Sequence, residues 1–145
     1  MQKITPFLWF DGNLEEAVNF YTTVFPNAHV ININPATAAF VIEGQEFMAL
    51  TGGPQFKFSE AVSFFIHCET QAEIDYFWEH LTAGGGLESQ CGWLKDKFGL
   101  SWQVVPHVLG QYLGGRDRTR AQRVMQAMLK MTKFDIAALE AAYVG

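Results

Sequence analysis

The sequence predicts an α+β fold in which two tandem βαβββ modules form a curved eight-stranded mixed sheet, followed by C-terminal helices. The first observation is size: 145 residues, 49% of them apolar, suit one domain with a real core. The second is a repeat, because a constant shift places residues 8–21 on residues 65–78 without a gap. The third is the pattern within each copy, where a short apolar run and a polar turn precede apolar residues at helical spacing.

The first module, residues 1–53, is predicted as a strand, a helix and three more strands. Residues 4–10 are apolar and aromatic, which is typical of a strand. Asn13 is the predicted N-cap, with Glu16 three residues later as in a capping box. The other predicted features are a helix face of Ala17, Phe20, Tyr21 and Val24, a helix stop at Pro26, strands 29–32, 38–42 and 46–50, and a tight turn at 43–45.

The second module, residues 54–114, repeats this order. Its predicted first strand is 61–68, and Thr70 caps a helix over 71–82 that ends at the glycines 84–86. The remaining predicted strands are 87–89, 90–95 and 100–105, with a turn at 96–99 and Pro106 closing the sheet.

Residues 115–145 are predicted as a tail of two helices that belongs to the same domain. The predicted apolar stripes are Ala121, Val124, Met125, Met128 and Leu129 on the first helix, and Ile136, Leu139 and Tyr143 on the second, which Asp135 caps. The tail is basic, with six Lys and Arg against three Asp and Glu, whereas residues 1–114 have four against twelve. We therefore expect the tail to dock on the acidic body or on a partner subunit.

Composition excludes several classes of protein. No apolar run approaches the length that a membrane span needs, which argues against a membrane partner, and the N-terminus has no secretory signal pattern. Cys68 and Cys91 form no disulfide framework, which indicates reduced thiols and a cytoplasmic location. The net charge of −5 argues against a nucleic-acid partner.

Two such modules side by side would converge on one concave face, the natural cavity for a small-molecule ligand. At this point the sequence resembles a known family. The segments KITPFLWFDGNLEEAVNFY, FMALTGGPQFKFSEAVSF, CETQAEIDYFWEHL, QCGWLKDKFGLSWQVVP and AQRVMQAMLKMTKFDIAALEAAY resemble the PhnB-like family, labelled 3-demethylubiquinone-9 3-methyltransferase, of the vicinal oxygen chelate superfamily. That superfamily includes glyoxalase I, bleomycin-resistance proteins and extradiol dioxygenases. Unlike the usual family member, this chain has only a short connection, residues 32–37, between its second and third strands.

The resemblance implies that metal-using relatives hold their metal ion with side chains from the first and last strands of each module. Matching residues 99–103, GLSWQ, to the Gly-x-x-x-Glu pattern of such enzymes puts Gln103 at the carboxylate position. The corresponding positions are Pro6, Met48 and Ser63, and none of the four is an anionic or imidazole ligand. We therefore predict no metal and no cofactor. A register error of one or two residues admits Thr5, Glu46 or His67, which keeps a divalent metal open as the alternative.

Gln103 is the main candidate for ligand binding, because an amide on an apolar face must find hydrogen-bond partners. Those partners are either a ligand or the backbone of the core. His67, on the same strand face as Ser63 and Phe65, is a second candidate for a catalytic role, as general base. The complete set of predicted ligand-binding residues is Gln103, Ser63, Met48, Trp9, Phe65, Trp93 and Trp102, whose aromatic members are equally compatible with core packing.

Four functions remain open at this stage. The first is a small-molecule-binding protein or metal-independent enzyme, and the second is a metal-dependent enzyme of the glyoxalase or dioxygenase type. The third is a methyltransferase, as the family label says, although no Gly-rich loop follows a strand to open a helix. The fourth is ligand sequestration without chemistry. The resemblance also implies a homodimer, since members of the superfamily often pair.

Overall fold

The computed structural model describes residues 2–145, and the chain divides into two compact units, Met1–Lys57 and Phe58–Gly145. Each unit contains one βαβββ module. The elements of the first are β1 (Phe7–Asp11), α1 (Leu14–Val24), β2 (Ala28–Ile33), β3 (Thr37–Ile42) and β4 (Gln45–Gly52). Those of the second are β5 (Phe64–Cys68), α2 (Gln71–Thr82), β6 (Leu87–Glu88), β7 (Trp93–Lys95), β8 (Ser101–Pro106), α3 (His107–Leu113), α4 (Arg118–Met128) and α5 (Ile136–Val144).

In the first unit the strands are ordered β1-β4-β3-β2, with β1 parallel to β4 and the other pairs antiparallel. Helix α1 covers one face, where Tyr21 stacks on Phe40, which stacks in turn on Phe47. Glu43 and Gly44 both have positive φ, 49° and 81°, as a two-residue type I′ hairpin turn requires. The predicted turn at 43–45 is therefore confirmed.

The second unit repeats this topology as β5-β8-β7-β6, again with a parallel first pair. Ile74 and Leu81 of α2 are buried, as are Trp102 and Val104 of β8, and α2 packs on β8 and β7. The α+β class and the two βαβββ modules are confirmed. The backbone hydrogen bonds join the strands as two sheets of four, one in each unit, where the sequence predicts one eight-stranded sheet.

Helix α2 matches its predicted bounds, and the Thr70 side chain accepts a hydrogen bond from the Glu73 N–H at 3.1 Å. Asn13 also stands at the N-cap position of α1, but its side chain makes no capping hydrogen bond, so that part of the prediction is wrong. The short connection predicted between the second and third strands is present as residues 34–36, where Asn34 Oδ1 accepts from the N–H groups of Ala36 and Thr37.

Three strand predictions and one omission need correction. β1 begins at Phe7 rather than residue 4, and β5 at Phe64 rather than 61. β7 begins at Trp93 rather than residue 90, because Cys91 and Gly92 have positive φ and donate their N–H groups to the carbonyls of residues 131 and 132 in the tail. Helix α3 is not predicted at all: Pro106 stands at its N-cap, so the chain turns directly from strand to helix.

The basic tail packs within the second unit. Gln71 of α2 donates to the Phe134 carbonyl at 2.9 Å and accepts from the Ile136 N–H at 2.8 Å. Phe134 is 1% exposed and lies against Gly92. The stripe predicted on the first tail helix is only partly correct, because Ala121 and Val124 are buried while Met125 and Leu129 are exposed. No helix formed by residues 2–145 combines the length and apolarity needed to cross a bilayer.

Candidate functional site

The alternation of buried and exposed residues identifies the face of each sheet that its helix leaves uncovered. On β1, Leu8 and Phe10 are buried whereas Phe7 is 50% exposed. On β5, Cys68 is fully buried whereas Phe65 is 47% exposed. Because neighbouring strand residues point to opposite faces, Phe7 and Phe65 lie on the uncovered faces of their sheets.

This alternation corrects the register of the repeat on the first strands. Phe7 pairs with Met48, and Phe65 pairs with Gln103, so Met48 and Gln103 are equivalent positions as predicted. The first strands nevertheless depart from the constant shift of the predicted repeat. Phe7 and Phe65 are separated by one residue more than the first residues of α1 and α2 are. The equivalent of Ser63 is therefore Thr5 and not Pro6, whose carbonyl accepts the Met48 N–H at 2.9 Å.

Five of the predicted residues meet on the uncovered face of the second sheet, which we call the open face: Ser63, Phe65, His67, Trp93 and Gln103. The half-buried Gln103 donates from Nε2 to Ser63 Oγ at 3.0 Å. Its lateral neighbours are Phe65 on one side and Trp93 on the other. The ring centroids of Phe65 and His67 are 4.7 Å apart. An amide and a hydroxyl thus lie between aromatic side chains, an arrangement suited to binding an organic molecule.

The structure does not place the other predicted ligand residues there. Trp102 is 3% exposed on the opposite, helix-covered side, where its indole N–H donates to Asp96 Oδ2 at 2.9 Å. Met48, 40% exposed, and Trp9 belong to the first unit. The Trp9 indole donates to the Gly53 carbonyl at 2.9 Å, and its ring meets the edge of Phe56.

Sequence reasoning missed three residues at or beside the open face. Ser101 is 1% exposed, and its Oγ has no hydrogen-bond partner among residues 2–145. It lies on the same face as Gln103, two residues along β8, and this spacing alone could have indicated it. Next to Ser101 on β7, Lys95 forms an ion pair with Glu60, and this hydrogen bond and positive charge lower the pKa of the Glu60 carboxyl.

The donor set does not fit a divalent-metal site of the superfamily type. With the corrected register, the four matched positions hold Thr5, Met48, Ser63 and Gln103, and the last two bond to each other. Within residues 2–145 no three His, Cys, Asp or Glu side chains stand close enough to hold an ion together. Such sites need three or four nitrogen or oxygen ligands, usually including imidazole or carboxylate.

Cys68 is unsuited to nucleophilic chemistry. It lies in the core on the face opposite His67, and burial, reinforced by Glu73, raises the pKa of its thiol to about 12. Because the thiolate is the reactive form, we expect Cys68 to resist alkylation by iodoacetamide at pH 8 in the folded protein. The half-exposed Cys91 provides the internal reference, and mass spectrometry of tryptic peptides should find only Cys91 labelled at early times. Equal labelling of both would show that Cys68 is accessible.

Two surface clefts are lined by other residues. One of about 440 Å³ in the first unit is lined by Gly12, Leu14, Glu15, Ile33, Asn34, Pro35 and Thr51. The other, of about 520 Å³, lies between α4 and α5 and is lined by Thr119, Gln122, Arg123, Gln126, Ala127, Lys130, Ala141, Ala142 and Gly145. Neither includes a predicted ligand-binding residue.

Comparison with known families shows to which family the chain belongs. Residues 2–105 match the sequence model of the 3-demethylubiquinone-9 3-methyltransferase family, which is most of the chain. The chain belongs to this family. The PhnB protein from Bacillus cereus is 36% identical with a TM-score of 0.67, over 72% of this chain and 99% of that one. Comparison with the curated proteins gives no match.

More distant structures share the fold of this 3-demethylubiquinone-9 3-methyltransferase family member. A glyoxalase-related enzyme from Fulvimarina pelagi is 16% identical, covers 75% of this chain and 91% of its own, and has a TM-score of 0.57. The fosfomycin resistance protein FosX from Listeria monocytogenes is 16% identical, covers 70% and 87%, and has a TM-score of 0.52. The family match ends at Val105, so the tail segment that was predicted to resemble the family lies outside it.

Proposed function

We propose that this protein binds a small organic molecule on the open face and does so without a metal ion. The observation that carries the proposal is the hydrogen bond between Gln103 and Ser63. The two residues occupy positions where metal-using relatives are expected to hold ligands, and here they form a neutral polar pair between Phe65 and Trp93. Such a pair can orient a ligand while the aromatic rings supply contact area.

The alternatives have less support from this chain. FosX from Listeria monocytogenes was crystallised with Mn(II), but the matched positions here lack the carboxylate and imidazole donors that would favour a metal-dependent enzyme. The methyltransferase label finds no support in the two loops that lead from a strand into α1 and α2, because neither is Gly-rich. His67 remains a predicted general base. It lies on the open face beside Phe65, exposed to solvent.

The proposal predicts that a fragment screen followed by amide NMR will move the signals of Ser63, Phe65, Trp93 and Gln103 together. Gln103→Leu should weaken the best fragment at least tenfold, because the ligand loses its orienting amide. Gln90→Leu, at an exposed position of the same unit, is the matched control and should bind normally. Signal changes that cluster elsewhere, or binding unaffected by Gln103→Leu, would refute the proposal.

We also propose a homodimer, supported by large apolar side chains left exposed on both sheets. Phe7 is 50% and its strand partner Met48 40% exposed on the first sheet, and Phe65 is 47% exposed on the second; large apolar side chains exposed in this way are typical of interaction surfaces. Sedimentation velocity should show a dimer at micromolar concentration, and Phe7→Lys should shift it toward monomer. A wild-type monomer under these conditions would refute the proposal.

A further inference from the structure

We infer that the ligand is uncharged and presents a carbonyl group directly beside an N–H, as a lactam or carboxamide does. This inference rests on the proposed function and goes further by naming the chemical class that the open face recognises. Three observations on that face carry it: the unused atoms of the Gln103 and Ser63 pair, the buried hydroxyl of Ser101, and the cancelled charge of Lys95 and Glu60.

The Gln103 and Ser63 pair keeps both donors and an acceptor available. With Nε2 donating one of its two N–H groups to Ser63 Oγ, the Gln103 carbonyl oxygen remains an acceptor, and the second Gln103 N–H and the Ser63 O–H remain donors. If the amide is flipped, so that its oxygen and nitrogen exchange places, both N–H groups of Gln103 remain donors and Ser63 Oγ remains an acceptor. In either orientation a group with a carbonyl and an N–H side by side complements the pair.

Ser101 adds a second hydroxyl next to this pair. Since Phe64 pairs with Trp102 in parallel register, Ser101 stands opposite Ser63 and two residues before Gln103. Its Oγ is buried without a partner among residues 2–145. A buried polar group left unsatisfied costs about 1–3 kcal/mol, so the cluster is better satisfied when ligand binding displaces the side chains that cover Ser101 Oγ and a ligand oxygen accepts from it.

The charges beside the open face favour a neutral ligand over a carboxylate. Lys95, the neighbour of Ser101, is already paired with Glu60. A carboxylate ligand would compete with Glu60 for the same ammonium. The rings of Phe65 and Trp93 flank Gln103 and favour a planar molecule.

The test compares three molecules that share one fused bicyclic ring, on the full chain and by NMR titration: 2-quinolone, N-methyl-2-quinolone and quinoline-2-carboxylate. We expect 2-quinolone to shift the signals of Ser63, Ser101 and Gln103, and both analogues to bind at least tenfold more weakly. If all three bind the open face equally, the proposed function stands and this inference is wrong. If none binds there while other fragments do, the inference is also wrong. If no fragment binds there, both fail.

Ser101→Ala separates recognition from a structural role. Because its hydroxyl has no partner among residues 2–145, removing it should leave the unfolding midpoint unchanged or slightly raised. The same substitution should weaken 2-quinolone at least fivefold and leave N-methyl-2-quinolone unchanged. Ser89→Ala, at an exposed position, is the control for both measurements. Unchanged 2-quinolone affinity in Ser101→Ala would overturn the part assigned to Ser101.

Discussion

Phe134→Ala is expected to lower the free energy of unfolding by about 3–5 kcal/mol, the usual cost of removing a fully buried aromatic side chain. Phe134 is 1% exposed and lies against Gly92. The backbone from its carbonyl onward is held by Gln71, which donates to the Phe134 carbonyl and accepts from the Ile136 N–H. Loss of the ring therefore leaves a cavity at the point where the tail joins α2 and the sheet.

Urea denaturation followed by tryptophan fluorescence measures this effect. Phe56→Ala, at a side chain that is 65% exposed, is the matched control and should cost less than about 1 kcal/mol. Gly92→Ala tests the same contact from the other side, since an added Cβ would lie 2.5 Å from the Phe134 ring and φ at this residue is +81°. If Phe134→Ala and Phe56→Ala cost the same, the tail is not anchored in this way.

Asp96→Ala is expected to lower the free energy of unfolding by a similar amount, about 3–5 kcal/mol, by orphaning buried donors. Asp96 is 2% exposed. Its Oδ1 accepts from the N–H groups of Phe98 and Leu100 at 2.9 and 3.1 Å, and its Oδ2 accepts from the Trp102 indole at 2.9 Å. The carboxylate thus closes the β7–β8 turn and fixes the tryptophan that packs beneath the sheet.

Asp96→Asn distinguishes hydrogen bonding from simple packing. The amide keeps one oxygen acceptor but replaces the other with a donor that faces a donor, so we expect it to recover part of the lost stability. Asp11→Ala, at an exposed strand end, should change unfolding by less than about 0.5 kcal/mol. Near-normal stability of Asp96→Ala in chemical denaturation would contradict this account of the turn.

The parts of the fold that were predicted correctly depend on local patterns. The helix at Gln71–Thr82 has its cap, its apolar spacing and its stop all within one short segment. The turn at Glu43 and Gly44 likewise depends on residue type alone. The parts that failed depend on remote partners. Cys91 and Gly92 look like strand residues, but their N–H groups bond the carbonyls of Met131 and Thr132 in the distant tail.

The candidate site shows the same division. A resemblance carried over residue by residue identified Gln103, Ser63 and Met48, and alternation along a strand grouped Ser63, Phe65 and His67. The sequence did not indicate which face of the sheet the Trp102 side chain occupies, because that depends on the face against which α2 packs. Ser101 looked like an ordinary strand serine, because only the folded chain shows that its hydroxyl is buried with no partner in the described part, residues 2–145.

By itself, the sequence determined that the chain duplicates a βαβββ unit, because periodicity and capping are properties of neighbouring residues. Only the tertiary structure decided that the strands pair as two sheets of four and that Phe65, rather than Phe64, is the equivalent of Phe7. The reason is physical: a slip by a single position along a strand exchanges its two faces. Only packing against α1 and α2 selects which face is buried and which remains open for a ligand.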